Sequence, residues 1–220
     1  MLGTRPDIAF AVAILSRFTA YPRTKHAKAL NRVFRYLNGT IHIGITYSRS
    51  ESPIPIGYSD SDYGGTVVKE GRKSIFGYIF FLAGGSVSWS CKRQSVVATS
   101  STEAEYIAQY NAAREAIWIQ TFLQELGYGF GNLTDQVTIL ADNNDARSLA
   151  KDSSIHSQVK HMEIKYYWQR QQVERGYLQF NYIPSAENAA DSLTKPLELN
   201  SFKVFRDNLI KMMNLYSSLD

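Results

Sequence analysis

The run SIFGYIFFLAGGSVSWSCK, Ser74 to Lys92, leaves the chain little choice of local structure. Two segments rich in β-branched and aromatic residues flank Ala83-Gly84-Gly85-Ser86, and adjacent glycines supply the positive φ angles of a tight hairpin turn. On the second segment Val87, Trp89 and Cys91 face one way and Ser88 and Ser90 the other, the period of a strand. A fold built on this hairpin needs an antiparallel sheet and an apolar layer to cover it.

The next segment supplies that layer. The polar cluster Thr99-Ser100-Ser101-Thr102 and Gly127 bracket a helical stripe of Ala104, Ala108, Ala112, Ala116, Ile119, Leu123 and Leu126, whose alanines permit close approach to a sheet. Ser100 to Glu103 fits a capping box in which Glu103 reaches back to the backbone of Ser100. Upstream, Ile54, Ile56 and Tyr58 alternate as a strand; downstream, QVTILAD (Gln136 to Asp142) is a short apolar run suited to a strand covered on both faces. A short helix is expected over Asn143–Lys151, a charged one over His161–Arg175, a last strand through Leu178, Phe180 and Tyr182, and a helical segment over Glu187–Leu193. The order predicts an α/β fold, a mixed sheet with helices against it.

Ahead of the sheet, Ile8, Val12, Ile14, Leu15 and Phe18 recur at helical spacing, Pro22 interrupts, and Ala27–Leu37 resumes, giving a helical hairpin that ends near Asn38–Thr40. The change to short β-like runs places a boundary near residues 40–52. The expected division is 1–50, 51–197 and a helical tail, 198–220.

A single cysteine, Cys91, excludes an intramolecular disulfide and an all-cysteine zinc site, and its place on a strand reads as a buried structural thiol. No run of eighteen apolar residues occurs, and Arg5 and Asp7 interrupt the start, so neither a membrane span nor a secretion signal is expected and an intracellular setting, cytoplasmic particle or nucleus, is. The formal charge of +4 is compatible with a polyanionic partner and decides little alone.

Acidic residues at the ends of strands and starts of helices carry more functional weight than those on helix faces. Four segments supply them: Asp60 or Asp62 in YSDSDYGG, Glu103 or Glu105 at the start of the long helix, Asp142 closing the apolar strand, and Asp191 or Glu187 after the last strand. Four carboxylates in one pocket repel unless cations sit among them. Oxygen ligands suit Mg²⁺, and two such ions about 3.5–4 Å apart stabilise both oxygens of an in-line phosphoryl displacement.

Several blocks then stand in order: SDSD, RKSIFGYIFFLAGGSVSWSCKRQSVVATSSTEAEYIA, ILADN, KHMEIKYY and YIPSAENAADSLTKPL. Together, from about Gly57 to Leu197, they resemble the ribonuclease H domain of copia-type long-terminal-repeat retrotransposon Pol polyproteins. The head, TRPDIAFAVAILSRF and RVFRYLNGT, resembles the C-terminal end of that family's reverse transcriptase, its thumb or connection. No Tyr-x-Asp-Asp turn is present, so polymerase chemistry is not expected of this stretch.

The resemblance implies a ribonuclease H-like fold, a five-stranded mixed sheet flanked by helices, and cleavage of the RNA strand of RNA–DNA hybrids with two Mg²⁺ ions, for which Mn²⁺ can substitute. It implies Asp60, Glu105, Asp142 and Asp191 as catalytic metal ligands. Asp60 would bridge both ions, Glu105 and Asp142 would hold the ion on the leaving side, and Asp191 would help hold the one that activates water. Asp62, Glu103 and Glu187 then become turn, cap and helix-start residues. Substrate contacts are expected from Lys92 and Arg93 to phosphate, and from Ser100, Ser101 and Asn143 to the RNA 2′-hydroxyl. The loop PSAENAAD lacks the histidine that many ribonucleases H carry before the last acid, and His156 and His161 read as structural or surface residues. The expected partners are the hybrid and the rest of a Pol polyprotein; a non-cutting, domesticated nucleic-acid-binding module is the alternative.

Overall fold

A computed structural model describes residues 3–65, 70–128, 136–143, 160–209 and 211–212. The helices are α1 (Ala9–Leu15), α2 (Thr24–Asn38), α3 (Ser101–Glu125), α4 (Lys160–Glu174) and α5 (Leu199–Leu209). The strands are β1 (Ile43–Gly44), β2 (Ile56–Asp62), β3 (Ile75–Leu82), β4 (Gly85–Arg93), β5 (Val137–Ala141), β6 (Leu178–Tyr182) and β7 (Lys211–Met212). The helix expected over Asn143–Lys151 falls largely outside the described residues, as does His156.

Five strands form one mixed sheet in the order β4-β3-β2-β5-β6. β2, β3 and β4 pair antiparallel, whereas β5 and β6 join parallel to β2. This is the ribonuclease H-like arrangement the resemblance implies, with a helical hairpin before it. At the β3–β4 turn Ala83 and Gly84 both take positive φ (51° and 79°), as a two-residue hairpin that follows strand twist requires.

The two sheet faces bury different partners. On one, the alanine stripe of α3 (Ala112, Ala113, Ala116) packs with Phe80, Val137, Ile139, Leu178 and Phe180. Small side chains let the helix lie close, and α3 contacts β2, β3 and β5. The stripe ends earlier than its sequence spacing indicates: Leu123 is buried but Leu126 is 59% exposed. On the other face Ile75, Ile79 and Cys91 pack with Ala9 of α1, Ile43, Leu193, and Phe205 and Leu209 of α5. The head and tail segments therefore share a core with the sheet, and β1 pairs antiparallel with β7, Ile43 opposite Met212. Cys91 is buried as expected, its thiol pushed up to about 12 by burial.

Candidate active site

β2 carries Asp60 into the middle of the sheet. Its register sets Asp60 opposite Gly77 of β3, and a Cβ at residue 77 would lie 2.7 Å from Leu193 Cβ. The missing side chain lets the turn Asp191–Leu193 settle against the sheet beside Asp60. Asn188 fastens the approach to that turn, donating from Nδ2 to the Ser59 carbonyl at 3.0 Å.

Glu105 arrives from the first turns of α3. Ser100 caps the helix, its hydroxyl accepting from the Glu103 amide at 3.1 Å. The return bond differs from the expected box: Glu103 accepts from the Thr99 amide and hydroxyl, both at 2.6 Å, so it braces the residue before the cap. Two residues on, Glu105 turns inward, and its Oε1 accepts from the Ser61 amide at 3.1 Å. Asp142 immediately follows β5, where parallel pairing with β2 brings its strand end beside Asp60.

These three acids form one group. Asp60, Glu105 and Asp142 each offer a carboxylate oxygen within 4.8 Å of the others. Asp60 and Glu105 are only 3% and 8% exposed. Burial, then the charges of Asp60 and Asp142, push the Glu105 carboxyl up to about 9. Burial and the neighbouring Asp191 likewise raise Asp60, and burial raises Asp191 against the opposing pull of Lys195. Among the described residues, Glu105 Oε2 and Asp191 Oδ1 are buried with no hydrogen-bond partner. Close buried carboxylates with unused acceptors are a donor set deficient in positive charge, and hard divalent cations fit it.

Four further residues, not singled out in the sequence, hold this arrangement. The Thr194 hydroxyl bonds Asp60 Oδ2 and lies 3.0 Å from the Asp191 carbonyl. Ser185 donates its hydroxyl to Asp142, using the loop that lacks histidine. Lys195 forms an ion pair with Asp191 Oδ2 at 2.9 Å, and Asn188 pins the loop as described above. Thr194 and Lys195 stand three and four residues after Asp191, the spacing at which side chains of a helical turn meet, and that spacing was the available signal.

The other nominated residues lie outside this group of three. Asp62, also buried, sits two residues beyond Asp60 on β2 and outside the group of three. Lys92 and Arg93 are exposed at the end of β4, the sheet edge two strands from β2. Ser100 and Ser101 are exposed at the start of α3, and Asn143 is half-buried next to Asp142.

No family model matches the chain. It is 40% identical over 207 residues to the "Retrovirus-related Pol polyprotein from transposon TNT 1-94" of Nicotiana tabacum, covering 94% of this chain and 15% of that protein. Against the Pol polyprotein from transposon RE1 of Arabidopsis thaliana the identity is 39% over 206 residues, covering 94% and 14%. The "Secreted RxLR effector protein 161" of Plasmopara viticola is 48% identical over 119 residues, covering 54% of this chain and 82% of that protein. Among solved structures, LC11-RNase H1, isolated from compost, superposes with a TM-score of 0.46 at 20% identity, covering 64% of this chain and 93% of that one. The chain thus spans about one seventh of the Pol polyproteins it matches. Over 92–94% of its length, through head, sheet and tail, the chain is homologous to retrovirus-related Pol polyproteins of plant transposons.

Proposed function

We propose that this segment is a metal-dependent endoribonuclease that cuts the RNA strand of RNA–DNA hybrids, as the ribonuclease H part of transposon reverse transcription. The observation that supports it most is the convergence of Asp60, Glu105 and Asp142 at the ends of β2 and β5 and the start of α3, with Asp191 alongside.

Asp60, Glu105, Asp142 and Asp191 would hold two Mg²⁺ ions, or Mn²⁺ in their place, which supply a deprotonated attacking water and neutralise charge on the phosphodiester. The protein's part is to present those carboxylates at fixed positions. Thr194 and the Ser61 amide fix Asp60 and Glu105, and Ser185 fixes Asp142. Lys92 and Arg93 would bind phosphates without regard to sequence, and Ser100, Ser101 and Asn143 would touch the 2′-hydroxyl that distinguishes RNA.

The test is a panel of end-labelled substrates, an RNA–DNA hybrid, duplex DNA and single-stranded RNA, each with Mg²⁺ and with chelator. Internal cuts in the RNA of the hybrid alone, abolished by chelator, are expected. Cleavage of duplex DNA would assign a different nuclease of the same fold, and an intact hybrid across Mg²⁺ and Mn²⁺ would leave a binding module.

A further inference from the structure

Among the described residues, Lys195 is the cation ion-paired to the carboxylate group, and how it is held is informative. Residues 191–195 make a tight turn in which the Thr194 and Lys195 amides both donate to the Asp191 carbonyl, at 3.2 and 3.1 Å. Pro196 follows and stops the turn from continuing as a helix. The Lys195 side chain folds back so that its ammonium reaches Asp191 Oδ2 at 2.9 Å.

Lys195 also lines a groove of about 460 Å³, together with Ile8 and Ala11, Val33 and Tyr36 of α2, and Leu197. Long basic side chains commonly lay their methylenes on apolar surface and carry the charge to a polar edge. Here the polar edge is the catalytic group. The Lys195 side chain keeps 38% of its exposure and that of Asp191 15%, so the pair stands at the rim of the carboxylates.

We propose that Lys195 is a tethered counter-ion. In the metal-free protein its ammonium partly neutralises the four acids and occupies Asp191, and divalent cations must compete with it for that carboxylate. The proposal rests on the metal-binding reading of the site and adds a determinant of how tightly the site binds cations.

It predicts opposite effects of one substitution on two measurements. Lys195→Met keeps the length of the stem and removes the charge. In chelator, its thermal midpoint should fall below wild type, because the clustered carboxylates lose their internal cation. Titrated with Mg²⁺ alone, or with Ca²⁺ as a non-reacting probe, it should show a larger midpoint rise that half-saturates at about tenfold lower cation concentration. Lys195→Arg should track wild type. In an Asp191→Asn background, Lys195→Met should have little further effect on the metal-free midpoint.

The outcomes separate. If wild type responds to cations and Lys195→Met half-saturates at the same or higher concentration, the counter-ion assignment is wrong while the metal site stands. If wild type shows no cation-dependent midpoint at all, the metal-binding reading fails and takes this inference with it.

Discussion

At Asp60 and Asp62, composition and local order are the same, and alternation puts both side chains on one face of β2. Register separates them: Asp60 lies opposite Gly77 and beside the turn that carries Asp191 and Thr194, whereas Asp62 lies opposite Ile75. Asp60→Asn should therefore reduce hybrid cleavage by at least about a hundredfold, and Asp62→Asn by less than about fivefold, in single-turnover assays on equally folded protein. Glu105 and Asp60 also set a pH dependence. Their folded-state pKa values are raised, so the metal-free native state holds more protons than the unfolded chain from about pH 3.8, where Asp60 ordinarily titrates, to about pH 9. Stability contributed by these groups is full below that window and is lost as pH rises through it. In chelator, the thermal midpoint should be lower at pH 8.5 than at pH 6, and saturating Mg²⁺ should narrow the gap.

Two glycines show how elements position the site. A Cβ at Gly57 would meet the Phe80 ring at 2.3 Å on the α3 side of the sheet, whereas one at Gly77 would meet Leu193 Cβ at 2.7 Å and Thr194 Cγ2 at 3.0 Å on the other. Overpacking of either kind costs about 1–3 kcal/mol. Only Gly77→Ala pushes the Asp191 turn off the sheet, so it should also raise the Mg²⁺ concentration needed for half-maximal cleavage, while Gly57→Ala should lower stability alone. Denaturant midpoints and Mg²⁺ titrations of the two variants distinguish the cases. At this scale much was legible in advance: the hairpin, the α3 stripe and the strands on either side of it each carry a local period. The exposed end of that stripe at Leu126 was not, because a helix period continues past the edge of whatever it packs on. For the back-reach of Thr194 and Lys195 the spacing from Asp191 was the one signal, a weak one, since they follow a three-residue 3₁₀ turn too short to show a period.

Across the whole molecule, charge is unevenly placed. Residues 8–50 contain seven of the 24 Lys and Arg and none of the 20 Asp and Glu, so the remainder is net acidic. Within α2, Lys25, Lys28, Arg32 and Arg35 recur at helical spacing and therefore share one face, and no residue of that helix is buried. If hybrid is the substrate, replacing Lys25, Lys28 and Arg35 by glutamate should weaken its binding and flatten the salt dependence, by about one unit of slope for each phosphate no longer neutralised. Fluorescence anisotropy over a salt series measures both. What draws head, sheet and tail into one core was the least legible feature: Ile43 pairs with Met212, and Ala9 packs near Leu209, across nearly the full length of the chain. No local pattern encodes such long-range packing, and two-residue strands give no alternation to read. The acids could be nominated because strand ends and helix starts are local features, while the meeting of Asp60, Glu105 and Asp142 depends on pairing β2 with β5 and seating α3 on the sheet, contacts between segments far apart in sequence.

The most direct measurement of the central claim is single-turnover cleavage of a labelled RNA–DNA hybrid in Mg²⁺ by wild type and by Asp142→Asn, with matched circular dichroism spectra and thermal midpoints. Asp142 shares the carboxylate group with Asp60 and Glu105. Internal cutting of the RNA by wild type is expected, with a rate lower by at least about a hundredfold in the variant, if these carboxylates are the reaction centre. Equal cleavage by the two proteins would contradict that claim.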